Sequence, residues 1–148
     1  MPITATPITT GSAVGIFAAQ GDVENQFGID NVRIWSQLDN AQTCVDVSRI
    51  QQALDYADSK VISTFVNYGN YVTPLAPIGS DIALVTRWAA VIAGAWLYQS
   101  RGLRDDDAQG DHVAKLKSLV ETEMLHYRAG EKLNATRRWP AATAPIGY

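Results

Sequence analysis

The run at residues 82–98, IALVTRWAAVIAGAWLY, constrains this chain more than any other stretch, because its seventeen residues hold a single charge, Arg87. A membrane-spanning helix wants ~20 predominantly apolar residues. A shorter run with an arginine inside it reads instead as a buried helix of a folded domain. Two stripes at helical spacing run through it. One is Ile82, Val85, Ala89, Ile92 and Trp96; the other is Leu84, Trp88, Val91 and Ala95. A helix that is apolar on more than one side is central to its fold or lies between subunits. Ser80 is the predicted N-cap and Gly102 the stop, which predicts a helix over 80–101.

Two further long helices flank this one. Asp46 is a good N-cap, and Ile50, Leu54, Ala57, Val61, Phe65 and Tyr68 follow at steps of three and four, predicting a helix over 47–68. The loop after it holds Pro74 and Pro77, which no helix crosses. Val113, Leu116, Val120, Met124 and Tyr127 define a helix over 111–129, with Gly130 as its C-cap. Ahead of these, residues 17–27 read as a short helix closed by Gly28. A second short helix is predicted from Asp30, carrying Val32, Ile34, Trp35 and Leu38. No strand pattern of comparable strength appears; Val45-Asp46-Val47 and Tyr71-Val72-Thr73 alternate too briefly. The expected fold is all-α: three long helices, one or two short N-terminal ones, and loose ends. Ile50, Leu54, Val61, Phe65, Val85, Ile92, Trp96, Leu116 and Val120 are the expected core, with Trp35 and Trp88 packing onto it. The division expected is an extended arm at 1–16, a helical core at 17–130 and an extended tail at 131–148.

The 148 residues suit one domain and need no disulfide or metal to hold a core. With one cysteine, Cys44, no intrachain disulfide forms; it reads as a small apolar filler and fits a reducing compartment. The first fifteen residues lack Lys and Arg, so the basic start of a signal peptide is missing. The net charge of −3 gives no global basic field for nucleic acid. Charge is unevenly spread, however. Residues 105–127 carry six acids against two lysines, and residues 128–148 four basic residues against one acid.

Chemical motifs are incomplete. Asp105-Asp106-Asp107-Ala108-Gln109-Gly110-Asp111 begins like a calcium loop, but its twelfth position is Leu116 where a bidentate Glu is required. Glu123 and His126 form one Glu-x-x-His pair, whereas a di-iron bundle needs two and further carboxylates. The other histidine, His112, is preceded at the required spacing by Gln109, an amide. No Gly-x-Ser-x-Gly or P-loop is present. The sequence therefore calls for no enzyme, metal or cofactor. The alternative reading is a small helical metal-binding or nucleic-acid-binding domain. One stretch does read as a binding element. Arg137-Arg138-Trp139-Pro140 stands in an aperiodic tail that ends in Tyr148. Arg and large aromatics are typical interface anchors, and proline lowers the entropy lost on docking.

The order of the pieces resembles the tailed-phage head–tail connector (neck adaptor, head-completion) family, of the type found beside Mu-like prophage head genes. Four stretches carry the likeness: Phe17-Ala18-Ala19 with Asp22-Val23 and Phe27-Gly28; Ile50, Ala53-Leu54 and residues 57–62; Tyr71-Val72-Thr73-Pro74-Leu75; and residues 89–98 with Arg101, then residues 113–130 closing on Tyr127-Arg128-Ala129-Gly130. Gln37-Leu38-Asp39-Asn40 stands where the family often has a Thr-Asp pair. The resemblance implies a structural virion protein, made in the host cytoplasm and located in the neck. Such proteins form a ring, commonly of twelve copies, beneath the portal. They extend the DNA channel without sequence-specific contact and seat the next neck or tail-terminator component; no membrane is involved. The arm and the Arg-Trp-Pro tail lie outside the likeness. For them the expectation is that Arg137, Arg138, Trp139, Pro140 and Tyr148 dock on the portal. Asp105, Asp106, Asp107 and Asp111 are expected to offer an acidic, non-adhesive wall to passing DNA.

Overall fold

The structure, a computed structural model, describes residues 12–37, 45–101 and 108–138. Five α-helices follow one another: α1 (Gln20–Phe27), α2 (Ile29–Ser36), α3 (Val47–Ile62), α4 (Asp81–Ser100) and α5 (Ala108–Ala129). The described residues form no strand, only two isolated antiparallel bridges, Val14 with Ala19 and Tyr71 with Arg137. The all-α expectation holds, with three long helices and two short ones.

α3 begins where the sequence places it. The Asp46 carboxylate accepts from the Arg49 N–H at 3.2 Å, satisfying one donor of the first turn. Its apolar face, Ile50, Ala53, Leu54, Ala57 and Val61, is buried at the expected three- and four-residue steps. The last turn widens into a π-helix, Ser63–Asn67, in which Tyr68 N–H reaches back to the Ser63 carbonyl at 2.9 Å. Such widened turns free carbonyls for other partners.

α4 is the centre. It packs against α1, α2, α3 and α5. From Trp88 to Tyr98 every residue except Trp96 is buried. By length and composition this helix could cross a membrane, but most of it lies inside the bundle. Its surplus apolar surface is thus taken up within the chain, leaving Ile82 as its one large exposed hydrophobic. Phe65 stacks on Trp88 (5.5 Å between centroids), and Tyr127 of α5 meets Trp88 edge-on at 5.3 Å. Edge-to-face aromatic pairs contribute about 0.5–1.5 kcal/mol beyond their area.

The short helices close one side of α4. Trp35 of α2 sits between Phe27 (5.3 Å) and Tyr98 (5.1 Å), edge-on to both. That brings the Phe27 ring against Gly94, where a Cβ would fall 2.1 Å from a ring carbon. Gly28 joins the two helices with φ +94°, a conformation favouring glycine.

Several local expectations are corrected. Gly28, not Asp30, is the N-cap of α2. Ser80 precedes α4 but makes no side-chain cap bond. α5 starts at Ala108, and the left-handed residue after it is Glu131 (φ 50°), one beyond Gly130. Lys132 N–H to Tyr127 O and Glu131 N–H to Arg128 O complete that C-terminal Schellman closure. Trp96 and Leu116 are half-buried. Trp96 lies at the bundle edge, covered by the Arg49 guanidinium at 5.0 Å and by Tyr56. Leu116 sits at the margin of the α5 strip whose centre is Val113, Val120 and Met124.

Part of each expected loose end belongs to the folded body. Residues 12–16 belong to the body: Ala13 is buried and exchanges bonds with Gln20, and Asp58 of α3 accepts from the Ile16 and Phe17 N–H groups at 2.8 and 3.2 Å. Residues 131–138 fold back onto the body as well, with Leu133 buried.

Candidate partner-docking surface

The site is assembled at the end of the bundle where the π turn meets residues 131–138. Gly69 is required there, since a Cβ would lie 2.6 Å from the Phe65 carbonyl oxygen. The chain then turns so that Tyr71 N–H bonds Phe65 O at 3.0 Å and the Tyr71 ring packs edge-on to Phe65. The Tyr71 side chain is fully buried, and its hydroxyl both donates to Leu133 O (3.1 Å) and accepts from Leu133 N–H (3.0 Å). Burial pushes the Tyr71 hydroxyl pKa up, so it stays protonated and able to make both bonds. A short ladder continues: Val72 N–H to Thr136 O at 3.1 Å and Arg138 N–H to Asn70 O at 2.8 Å. Farther along the loop, Ile78 N–H bonds Asn134 O at 2.9 Å, and Asn134 N–H bonds the Asp81 carboxylate at 2.7 Å.

The two arginines expected to meet a partner are engaged with their own chain. Arg137 donates to Glu131 O at 3.2 Å and lies 3.8 Å from the Glu131 carboxylate. Arg138 donates to Val66 O, a carbonyl of the π turn. Their place is at the root of the tail, as fasteners. Beside them Tyr68 is 76% exposed, the most exposed large hydrophobic among the described residues. Trp139, Pro140 and Tyr148 lie outside the described residues, as do Asp105, Asp106, Asp107 and Cys44. Asp111 is exposed in the first turn of α5, where a carboxylate suits the helix dipole, and pairs with Lys115 at 3.1 Å. Residues 108–116 are helical, which is incompatible with the second half of a calcium loop.

Sequence reasoning missed Tyr71, Leu133 and Tyr68. Tyr71 and Leu133 pair only through tertiary contact, and Tyr68 reads as part of the α3 stripe until the π turn rotates it outward.

The two residues of the Glu-x-x-His pair each meet another side chain. Glu123 accepts from the Trp88 indole N–H at 2.7 Å, and His126 Nε2 lies 2.9 Å from Lys132 Nζ. Both line an open hollow of about 540 Å³ with Arg87, Leu119 and Thr122. Among the described residues no three His, Cys, Asp or Glu side chains come together as metal ligands. Comparison with protein-family models and with curated proteins finds no match to this chain.

Proposed function

We propose that this chain is a structural adaptor of a tailed-phage neck. In this reading it forms a ring under the portal, extends the DNA channel and seats the next neck or tail component, without catalysing a reaction. The resemblance in the order of the helices and turns supports the reading. The observation that carries it in the structure is the fastened root of the tail. Tyr71–Leu133, Arg138–Val66 and Arg138–Asn70 hold residues 131–138 to the core, so residues 139–148 leave from one fixed point beside exposed Tyr68. A segment launched from a rigid root loses less entropy on docking than one on a loose tether. Trp139, Pro140 and Tyr148 are the proposed anchors on the portal, with Arg137 and Arg138 positioning them. Repetition around a ring adds avidity to a modest single contact. Asp105, Asp106, Asp107 and Asp111 are proposed to face the passage and repel the DNA phosphates.

The test is a chain ending at Arg138. It is expected to keep the helical circular dichroism and melting temperature of the full chain while losing capture by portal rings. Undiminished capture would remove the docking role of residues 139–148.

A further inference from the structure

The turn after α3 and the root of the tail bring positive charge around one exposed ring. The Tyr68 side chain is in solvent, yet its backbone is fixed. Its N–H bonds the Ser63 carbonyl at 2.9 Å, and the next residue, Gly69, lies too close to the Phe65 carbonyl for a Cβ. Arg128 of α5 reaches the same turn, its Cγ standing 3.1 Å from where a Gly69 Cβ would lie. Arg138 reaches it as well, with its backbone N–H on Asn70 O at 2.8 Å and its guanidinium on Val66 O. Two arginines thus lie against the turn that presents Tyr68.

Neither arginine has a carboxylate partner among the described residues. Ion pairs form there between Asp30 and Arg33, Asp111 and Lys115, and Glu131 and Arg137. Glu131 is the one acid of residues 128–138, and it is already shared by Arg137 at 3.8 Å and the Asn70 amide at 3.3 Å. Four basic residues stand against that acid, on a chain whose net charge is −3. A guanidinium carries five N–H donors, and Arg138 uses one of them on Val66. The surface therefore holds a local excess of positive charge and unspent donors.

We infer that Tyr68, Arg128 and Arg138 form a docking surface for an acidic segment of a partner protein. Carboxylates match the planar guanidinium fork through paired hydrogen bonds, and the tyrosine ring offers a face to the segment's apolar atoms. Arg and Tyr are among the residue types that carry most of the binding energy at interfaces. Nucleic acid fits this surface less well. Duplex DNA carries one negative charge per ~1.7 Å of its axis, so it would run past the patch over a molecule that is acidic overall. A short peptide keeps its charge within the patch. The inference deepens the portal-docking reading by giving the chemistry of the partner, and rests on it only for which protein bears the segment.

The test uses the full chain without a portal, so failure of portal capture and failure of this contact are separable. Fluorescence anisotropy follows a rhodamine-labelled peptide of glutamates around a single leucine. The expected result is saturable binding that weakens as salt is added. Arg128→Gln and Tyr68→Ser are each expected to weaken it about tenfold. Lys115→Gln, which removes the same charge from an exposed position in the first half of α5, is expected to leave it unchanged. Absence of binding, or equally tight binding of the same peptide with glutamines for glutamates, would overturn the inference. So would equal losses from Arg128→Gln and Lys115→Gln. Tighter binding of a short DNA duplex than of the peptide would overturn it in favour of nucleic acid.

Discussion

At Gly94 the fold depends on a missing side chain. The Phe27 ring occupies the space a Cβ would need, with the nearest ring carbon at 2.1 Å. Gly94→Ala is expected to displace Phe27 and disturb its contact with Trp35. The expected cost is about 1–3 kcal/mol despite the better helix propensity of alanine; denaturant unfolding measures it. Leu54→Ala, at a fully buried position of α3, is expected to cost about 2–5 kcal/mol. Asp58 gives a pH-dependent counterpart. Its carboxyl is buried, which pushes its pKa above the ordinary value, while the bonds from Ile16 and Phe17 oppose that rise and nearby Asp55 adds to it. A raised folded-state pKa means the folded chain binds a proton the unfolded chain has already lost. This group's contribution therefore favours folding at acid pH and is lost as pH rises through the folded-state value. Asp58→Asn leaves one backbone N–H short of its acceptor, at a cost of about 1–3 kcal/mol. The stability of the wild type relative to this variant is expected to grow as pH falls toward the carboxylate range. A difference independent of pH would show that Asp58 is not the group responsible.

The elements differ in how plainly their residues announce them. The three long helices were legible because each carries a sustained stripe at helical spacing, and Asp46 states the start of α3 by its chemistry. Trp96 and Leu116 lie on those stripes yet only half-buried, since a stripe gives the direction of a face and not the position of its edge. The tail root was hidden for a different reason. Tyr71 and Leu133 are 62 positions apart, and neither period nor turn chemistry links them. The π turn adds to this, because it rotates Tyr68 out of register with the apolar face preceding it. Tyr71→Phe keeps the ring against Phe65 but removes both hydroxyl bonds to Leu133. It is expected to cost about 1–3 kcal/mol and to raise amide hydrogen exchange at Leu133, Thr136 and Arg138 before that of α3 or α4. Exchange rising equally throughout would mean that residues 131–138 unfold with the core.

For the molecule as a whole, the apolar surface of α4 is consumed inside the chain, so α4 leaves little apolar surface for a partner. Tyr68 beside the tail root is the most exposed of the large hydrophobics left at the surface of the described residues. If the proposed docking of the tail holds, Tyr68→Ser, at an exposed position beside the tail root, is expected to weaken capture by portal rings while leaving the melting temperature unchanged. Arg137 and Arg138 stand out in the sequence as docking residues, but their guanidinium bonds to Glu131 and Val66 make them the fastening of the tail's root. The central claim is that many copies of this chain assemble under a portal. Electron cryo-microscopy of the full chain mixed with portal rings tests it most directly. The account predicts a closed ring of this chain against one face of the portal, with residues 139–148 at the contact; portals left bare, or carrying a single copy, would contradict it.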